Sequence, residues 1–305
     1  MPAPNVSQVH IFVVKKDRFE LLIDPQFNDL NKFGCRDDRF VVFMWIAIDN
    51  AVFALVRWSV LISLAQIFVL VALVVQYGTA PLENNPYFGP SVNVLIQFGA
   101  KDGELIIKDE EYWRLLSAII LHAGVYHLLG NIALQLLISG YLEHSWGVTR
   151  YFAIYFTCGI VGYMFSCCFL YDSVSVGSSG SIMGLLASWL FDILFALQKV
   201  RSSGESYKIG GQHVSVMLYS ILTALLLTLA TSWSSGVDWA SHAGGCLYGI
   251  VWACALSPQT SSKSEASITS PSISHSKEKS PIIRIVSATL LFLIPALLLF
   301  RMILK

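Results

Sequence analysis

Residues 177–197 read GSSGSIMGLLASWLFDILFAL. From Ser179 to Leu197 the run is apolar but for Asp192 and a few serines. A helix rising 1.5 Å per residue covers about 28 Å over this length, close to the ~30 Å of a bilayer's hydrocarbon core. Gly180, Gly184 and Ser188 recur at four-residue steps, so they share one face. Such a stripe of small residues lets two membrane helices approach closely. The stretch therefore reads as a transmembrane helix with a built-in packing face.

Six further blocks of similar length surround it. They run from Trp58 to Tyr77, Ser117 to Leu142, Tyr151 to Tyr171, Val214 to Trp233, Val237 to Leu256 and Ile282 to Leu304. The expected fold is an all-α membrane protein, a polytopic bundle of six transmembrane helices plus one C-terminal helix. Its expected divisions are an N-terminal cytosolic region (1–57), a six-span core (58–256), a flexible linker (257–281) and a seventh transmembrane helix (282–305). The linker is rich in Ser, Thr, Pro and Lys without apolar periodicity, a composition that cannot bury a core. A short apolar run from Phe40 to Ile48 suits the membrane interface rather than a crossing.

Composition supports this class. Of 305 residues, 55% are apolar and 13% charged, with a mean hydropathy of +0.62. Soluble domains carry about 25% charged residues, and half that density does not cover a water-facing surface. Lys plus Arg equals Asp plus Glu at 20 each, which gives no footprint for nucleic acid. Of the six cysteines, five sit inside apolar blocks and none forms a CxxC pair, so neither a disulfide framework nor a zinc site is expected. With the N-terminus in the cytosol, 15 Lys and Arg residues fall on the cytosolic side against 5 opposite, the bias that sets orientation.

Polar side chains inside the spans are costly and face the protein interior. His122, His127, Asn131, Gln135, Asp192 and His242 are such residues, with Glu143 at a span end. His127 and Asn131 are four apart and share a helix face. In the assigned orientation, the second, fourth and sixth spans bring His127, Asn131, Ser179 and His242 to one depth in the outer half of the membrane. His242, Gly245 and Gly249 form a second small-residue stripe, the natural counterpart of Gly180 and Gly184. Where the stripes meet, Ser179 and His242 come within hydrogen-bonding reach.

A serine hydroxyl becomes a strong nucleophile when a neighbouring base takes its proton, and neutral histidine is such a base. The oxyanion formed on an attacked amide needs donors. Asn131 has an NH2, His127 a ring N–H, and Ser179 stands at a helix start with unpaired backbone N–H groups. Asp192 lies thirteen residues beyond Ser179, about 20 Å along the helix. It is too far to orient His242, so a Ser-His dyad is expected rather than a triad.

Each residue alone has a plainer reading. A Gly-x-Ser-Gly string in a membrane helix is usually packing, and a buried histidine usually a structural hydrogen-bonder. That reading is favoured for His122. Trp113-Arg114 reads as an interfacial anchor with a snorkelling charge, and Glu143 with Arg150 as the clasp of a turn. The four polar residues at one depth beside two small-residue stripes are another matter.

Taken together, these motifs resemble the rhomboids, the intramembrane serine protease family. The resemblance runs from Trp58 to Leu256, in order. It comprises Trp113-Arg114 in the first loop, His122, His127-Leu-Leu-Gly-Asn131, Glu143, Gly177-Ser178-Ser179-Gly180 with Gly184, and His242 with Gly245 and Gly249. It implies that Ser179 is the nucleophile and His242 its base. It also implies that His127, Asn131 and the Ser179 N–H form the oxyanion hole, with the remaining motif residues as structural support. Met183 stands where many rhomboids carry an aromatic residue a turn after the serine. The seventh span after the core looks like the eukaryotic secretase-type layout, in a secretory-pathway or cell-surface membrane rather than a mitochondrial one.

The expected activity is endoproteolysis of single-pass transmembrane proteins within or near the outer membrane face. Transmembrane substrates and membrane lipids are the expected partners, with no cofactor, metal or nucleic acid. The alternative is a catalytically inactive rhomboid-like protein that binds or escorts client helices.

Overall fold

Polar side chains point inward and many apolar ones outward in this chain, the reverse of a water-soluble domain. In the computed structural model, which describes residues 13–15, 18–20, 57–203, 208–209, 212–213, 218, 221–222, 237–256 and 281–304, Ser59, Ser63, Gln66, Gln135 and Ser139 are buried. Phe68, Leu137 and Phe292 are exposed. Lipid offers no hydrogen bonds, so polar groups must pair inside the bundle. The Gln135 amide donates to Ser63 Oγ at 2.7 Å and accepts from the Tyr155 hydroxyl at 2.7 Å. Tyr151 donates to Ser139 Oγ at 2.9 Å.

The chain forms two compact units, 1–55 and 56–305. The first contains the antiparallel pair β1 (Val13–Lys15) and β2 (Arg18–Glu20). In the second, the described helices are α1 (Trp58–Tyr77), α2 (Val92–Gln97), α3 (Gly103–Ile107), α4 (Arg114–Ile120), α5 (Val125–Trp146), α6 (Val148–Phe169), α7 (Ser179–Ser203), α8 (Trp239–Leu256) and α9 (Pro281–Ile303). A second short pair, β3 (Lys208–Ile209) and β4 (Gln212–His213), follows α7. Among the described residues, four stretches are long and apolar enough to cross a membrane: Trp58–Tyr77, Val125–Glu143, Val148–Phe169 and Ile283–Ile303. The expected fifth span (Val214 to Trp233), the Phe40 to Ile48 run and nearly all of the linker lie outside the described residues.

The second span begins later than its hydropathy suggests. Helix α4 stops at Ile120, and α5 starts at Val125. The Val125 and Tyr126 N–H groups bond to the carbonyls of Phe88 and Tyr87, in the loop after α1. A Cβ on Gly124 would strike the Tyr87 carbonyl. A loop inserted edge-on therefore breaks the helix, and His122 sits in the break instead of within a span.

Three charged residues differ from expectation. Glu143 does not clasp a turn with Arg150. Its carboxylate accepts from the Trp58 N–H (3.0 Å), the Ser59 N–H (3.2 Å) and Ser59 Oγ (3.2 Å), closing the N-terminus of α1 from another helix. Residue Arg57 supplies no side-chain cap of its own, and an anion is stabilised by open N–H groups and the helix dipole. Arg150 instead pairs with Asp192 at 2.8 Å and lies over the Trp146 ring. Arg114 does not snorkel. It is 4% exposed, donates to the Ile96 and Ala100 carbonyls and pairs with Glu111, which pulls α2, the following turn and α4 together. Trp113 remains exposed.

Helix α8 packs against α6, α7 and α9. Its seat on α9 depends on a missing donor. Pro295 lies inside α9 and has no N–H, so the Leu291 carbonyl loses its intrahelical partner. The Tyr248 hydroxyl of α8 donates to that carbonyl at 2.6 Å. Tyr248→Phe is expected to lower stability by about 1 kcal/mol. The loss should be smaller in a Pro295→Ala background, where the Leu291 carbonyl regains an intrahelical donor. Unfolding of wild type and the three variants in detergent micelles measures this coupling.

Candidate active site

Ser179 is the first residue of α7 and His242 lies in the first turn of α8. The two helices meet along glycines. A Cβ on Gly245 would strike the Gly180 carbonyl, and one on Gly249 the Gly184 carbonyl. Both stripes foreseen in the sequence therefore face each other, backbone against backbone. Ser188 extends the contact by donating to the Gly249 carbonyl at 2.6 Å. At the end of this seam His242 Nε2 stands 2.7 Å from Ser179 Oγ. His242 is 6% exposed and Ser179 half-buried.

His127 and Asn131 come to the same place from α5. Gly177, two residues before Ser179, has φ +121°, and a Cβ there would lie 2.8 Å from His127 Cε1, 3.0 Å from its Nε2 and 3.7 Å from Asn131 Nδ2. Only glycine suits both that backbone angle and that proximity. The Gly177 N–H donates to the Ala118 carbonyl at 2.8 Å, and its carbonyl accepts from the Tyr163 hydroxyl at 2.6 Å. The segment leading to Ser179 is thus fixed from two sides.

The hydrogen bonds assign ring protons. The Ala123 N–H points at His127 Nδ1 at 3.4 Å. In the neutral ring that leaves the proton on Nε2, the nitrogen nearest Gly177. Asn131 Nδ2 donates one hydrogen to the His127 carbonyl at 3.0 Å, which holds the amide and leaves its second hydrogen for another acceptor. His122 lies against His127, ring centroids 5.4 Å apart, and its Nδ1 bonds to the Ile120 carbonyl at 3.1 Å. Two donors on α5 lie beside Gly177, two residues before the serine that opens α7 and faces an imidazole. This arrangement can activate a hydroxyl and stabilise a developing oxyanion.

The remaining sequence candidates are Met183, Trp113, Arg114 and Glu143. Met183 is buried one turn into α7. Trp113, Arg114 and Glu143 shape the loop and the α1 seat described above. Residues that the sequence reading passed over are Ser175, Asp238 and Lys101. The Lys101 ammonium is fully buried and donates to the Leu170 carbonyl (2.5 Å), the Ser173 carbonyl (2.8 Å) and Ser173 Oγ (3.2 Å). Its burial lowers its pKa from the ordinary lysine value, against the opposing pull of nearby acidic groups that include Asp238. Asp238 could have been noticed as a helix-start residue one turn before His242. Nothing in the sequence marks Lys101 or Ser175. Among the described residues there is no cluster of potential metal ligands.

The Rhomboid domain family matches residues 109–259, a stretch that holds Ser179, His242, His127 and Asn131. The chain is 33% identical over 175 residues to RHOMBOID-like protein 6, mitochondrial, of Arabidopsis thaliana, across 57% of this chain and 53% of that protein. It is 27% identical over 192 residues to Rhomboid-like protease 2 of Toxoplasma gondii, across 63% and 62% respectively. It is also 30% identical over 115 residues to Inactive RHOMBOID-like protein 8 of Arabidopsis thaliana, across 38% and 33%. The chain spans about half the length of curated plant relatives that it matches, RHOMBOID-like proteins 6 and 2. An inward-facing polar core, apolar helices of membrane-crossing length and these matches agree: the chain is an integral multi-pass membrane protein that belongs to the rhomboid family.

Proposed function

We propose that this chain is an active intramembrane serine protease that cuts single-pass transmembrane proteins at or near the outer membrane face. The observation that carries the reading is the 2.7 Å contact between His242 Nε2 and Ser179 Oγ. At that distance the imidazole can take the hydroxyl proton as Oγ bonds to the scissile carbonyl carbon. The carbonyl π electrons move to oxygen, and the resulting oxyanion meets Asn131 Nδ2–H, His127 Nε2–H and the Ser179 backbone N–H. As the tetrahedral species collapses, the C–N bond breaks and His242 Nε2 returns the proton to the leaving amine. Water then attacks the acyl-serine and gives its proton to His242. The second collapse releases a carboxylic acid product and restores Ser179. No metal or cofactor takes part in these steps. A substrate helix hides its peptide bonds in hydrogen bonds, so local unwinding must precede attack.

The non-catalytic reading is kept alive by one relative whose name calls it inactive. Ser179 and His242 in hydrogen-bonding contact argue against it, since an escort protein has no use for that pair.

The proposed topology is that of the secretase-type layout. The N-terminus is cytosolic, the six-span core is followed by a seventh helix, and the protein resides in a secretory-pathway or cell-surface membrane. The charge bias and the apolar α9 support it. The opposing indication is the mitochondrial name of one relative. Protease added to sealed microsomes should remove an N-terminal tag, and recovery of the protein with mitochondria would overturn the assignment.

Wild-type protein in detergent should react with a fluorophosphonate and cleave a tagged single-span substrate, and Ser179→Ala and His242→Ala should do neither. Asn131→Ala should lower kcat by roughly 10²–10³ with KM little changed, the range for loss of one oxyanion donor. Equal labelling of wild type and Ser179→Ala, with client binding unchanged, would favour the escort reading. Gly177→Ala should lower kcat at least about tenfold, because the new methyl displaces one of those donors, His127.

A further inference from the structure

The glycine seam sets how closely α7 and α8 approach. Carbonyl-to-glycine contacts are not directional, and the hydrogen bond between Ser188 and the Gly249 carbonyl lies at the far end of the seam, so neither fixes the turn of α8 that carries His242. Something else must fix the bearing of His242 toward Ser179. Asp238, the residue just before α8, makes the directional contacts at that end. Its Oδ1 accepts the Ser241 N–H at 2.9 Å, an N-terminal cap on the turn that carries His242. The His242 N–H closes that turn on the Asp238 carbonyl at 3.3 Å. The other carboxylate oxygen, Oδ2, accepts the Ser175 hydroxyl at 2.6 Å across 63 residues of sequence.

Ser175 is itself anchored. Its N–H and carbonyl pair with the carbonyl and N–H of Lys101 at 3.0 and 2.9 Å. It lies four residues before Ser179, on the segment whose next fixed point is Gly177. One carboxylate thus joins the first turn of the base-bearing helix to the strand-like segment that leads into the nucleophile.

We propose that Asp238 is a positioning residue for proton transfer between Ser179 and His242, and that the chain Ser175–Asp238–Ser241 fixes the bearing of the imidazole on the hydroxyl. The inference rests on the serine-protease reading above. A misplacement of about 1 Å can cost on the order of 10²-fold in rate, so a link at this point governs kcat more than substrate binding. It also makes a distinction between dyad and triad that depends on geometry. Asp238 acts through the backbone turn and the neighbouring segment.

The test compares fluorophosphonate labelling rates and steady-state cleavage for wild type, Asp238→Ala, Asp238→Asn, Ser175→Ala and Asp238→Ala/Ser175→Ala, with thermal unfolding recorded for each. Asp238→Ala should label at least tenfold more slowly and lose kcat to a similar extent with KM unchanged. Asp238→Asn keeps an acceptor for the Ser241 N–H and a polar contact to Ser175, so it should stay within about threefold of wild type. Ser175→Ala should fall in the direction of Asp238→Ala, and the double variant should be no slower than Asp238→Ala. Should Asp238→Ala fail to fold, the folded Ser175→Ala variant, which loses one hydroxyl on a loop, decides the matter by its kcat. The proposal is overturned if folded Asp238→Ala or Ser175→Ala labels at the wild-type rate, if Asp238→Asn is as slow as Asp238→Ala, or if the single losses multiply. Wild-type protein that resists the fluorophosphonate altogether would overturn the protease reading and this inference with it.

Discussion

The seam between α7 and α8 is the contact on which the rest depends. In lipid, apolar side chains gain little by leaving one apolar surrounding for another, so helices associate through close packing and internal polar contacts. Gly180 and Gly184 against Gly245 and Gly249 bring two backbones together with no side chain between them. A helix pair held apart by leucines would leave the Ser179 hydroxyl and the His242 imidazole several ångström out of reach. Sequence spacing becomes geometry here because both polar residues sit at one end of the seam.

The surroundings follow the same logic of pairing. Every buried polar group in a membrane bundle needs a partner, and several partners are long-range. Glu143 closes the start of α1, Tyr248 meets the carbonyl that Pro295 leaves open, and Lys101 gathers carbonyls from the loop before α7. Each joins an element near the candidate site to one farther away. The loop between α1 and α5 is similarly organised by Arg114, which gathers one carbonyl from α2 and one from the turn after it. The loop before it, 80–90, wedges between α4 and α5, and its carbonyls replace the helical bonds that α5 would otherwise make.

Much of the candidate site is legible in the sequence. His127 and Asn131 are four apart, Ser179 opens an apolar run and His242 lies near the start of another. Periodicity places residues on faces, and the positive-inside bias proposes which ends lie together. Gln135 could be named as a buried polar group, but its partners Ser63 and Tyr155 could not, because they come from other helices. Glu143 was visible as a charge at a span end, and only the packing of α1 showed what it serves. The break at residues 121–124 was invisible, because hydropathy does not register a loop inserted from the side.

The sequence alone determined the number and order of apolar blocks, the small-residue stripes and the place of each polar side chain within its block, because all are local or periodic properties. The tertiary structure decided which stripe meets which, how His127 is oriented beside Gly177, and that Asp238 reaches Ser175 across 63 residues. Contacts between distant segments depend on how helices pack and where loops insert, and no window of the chain contains that information.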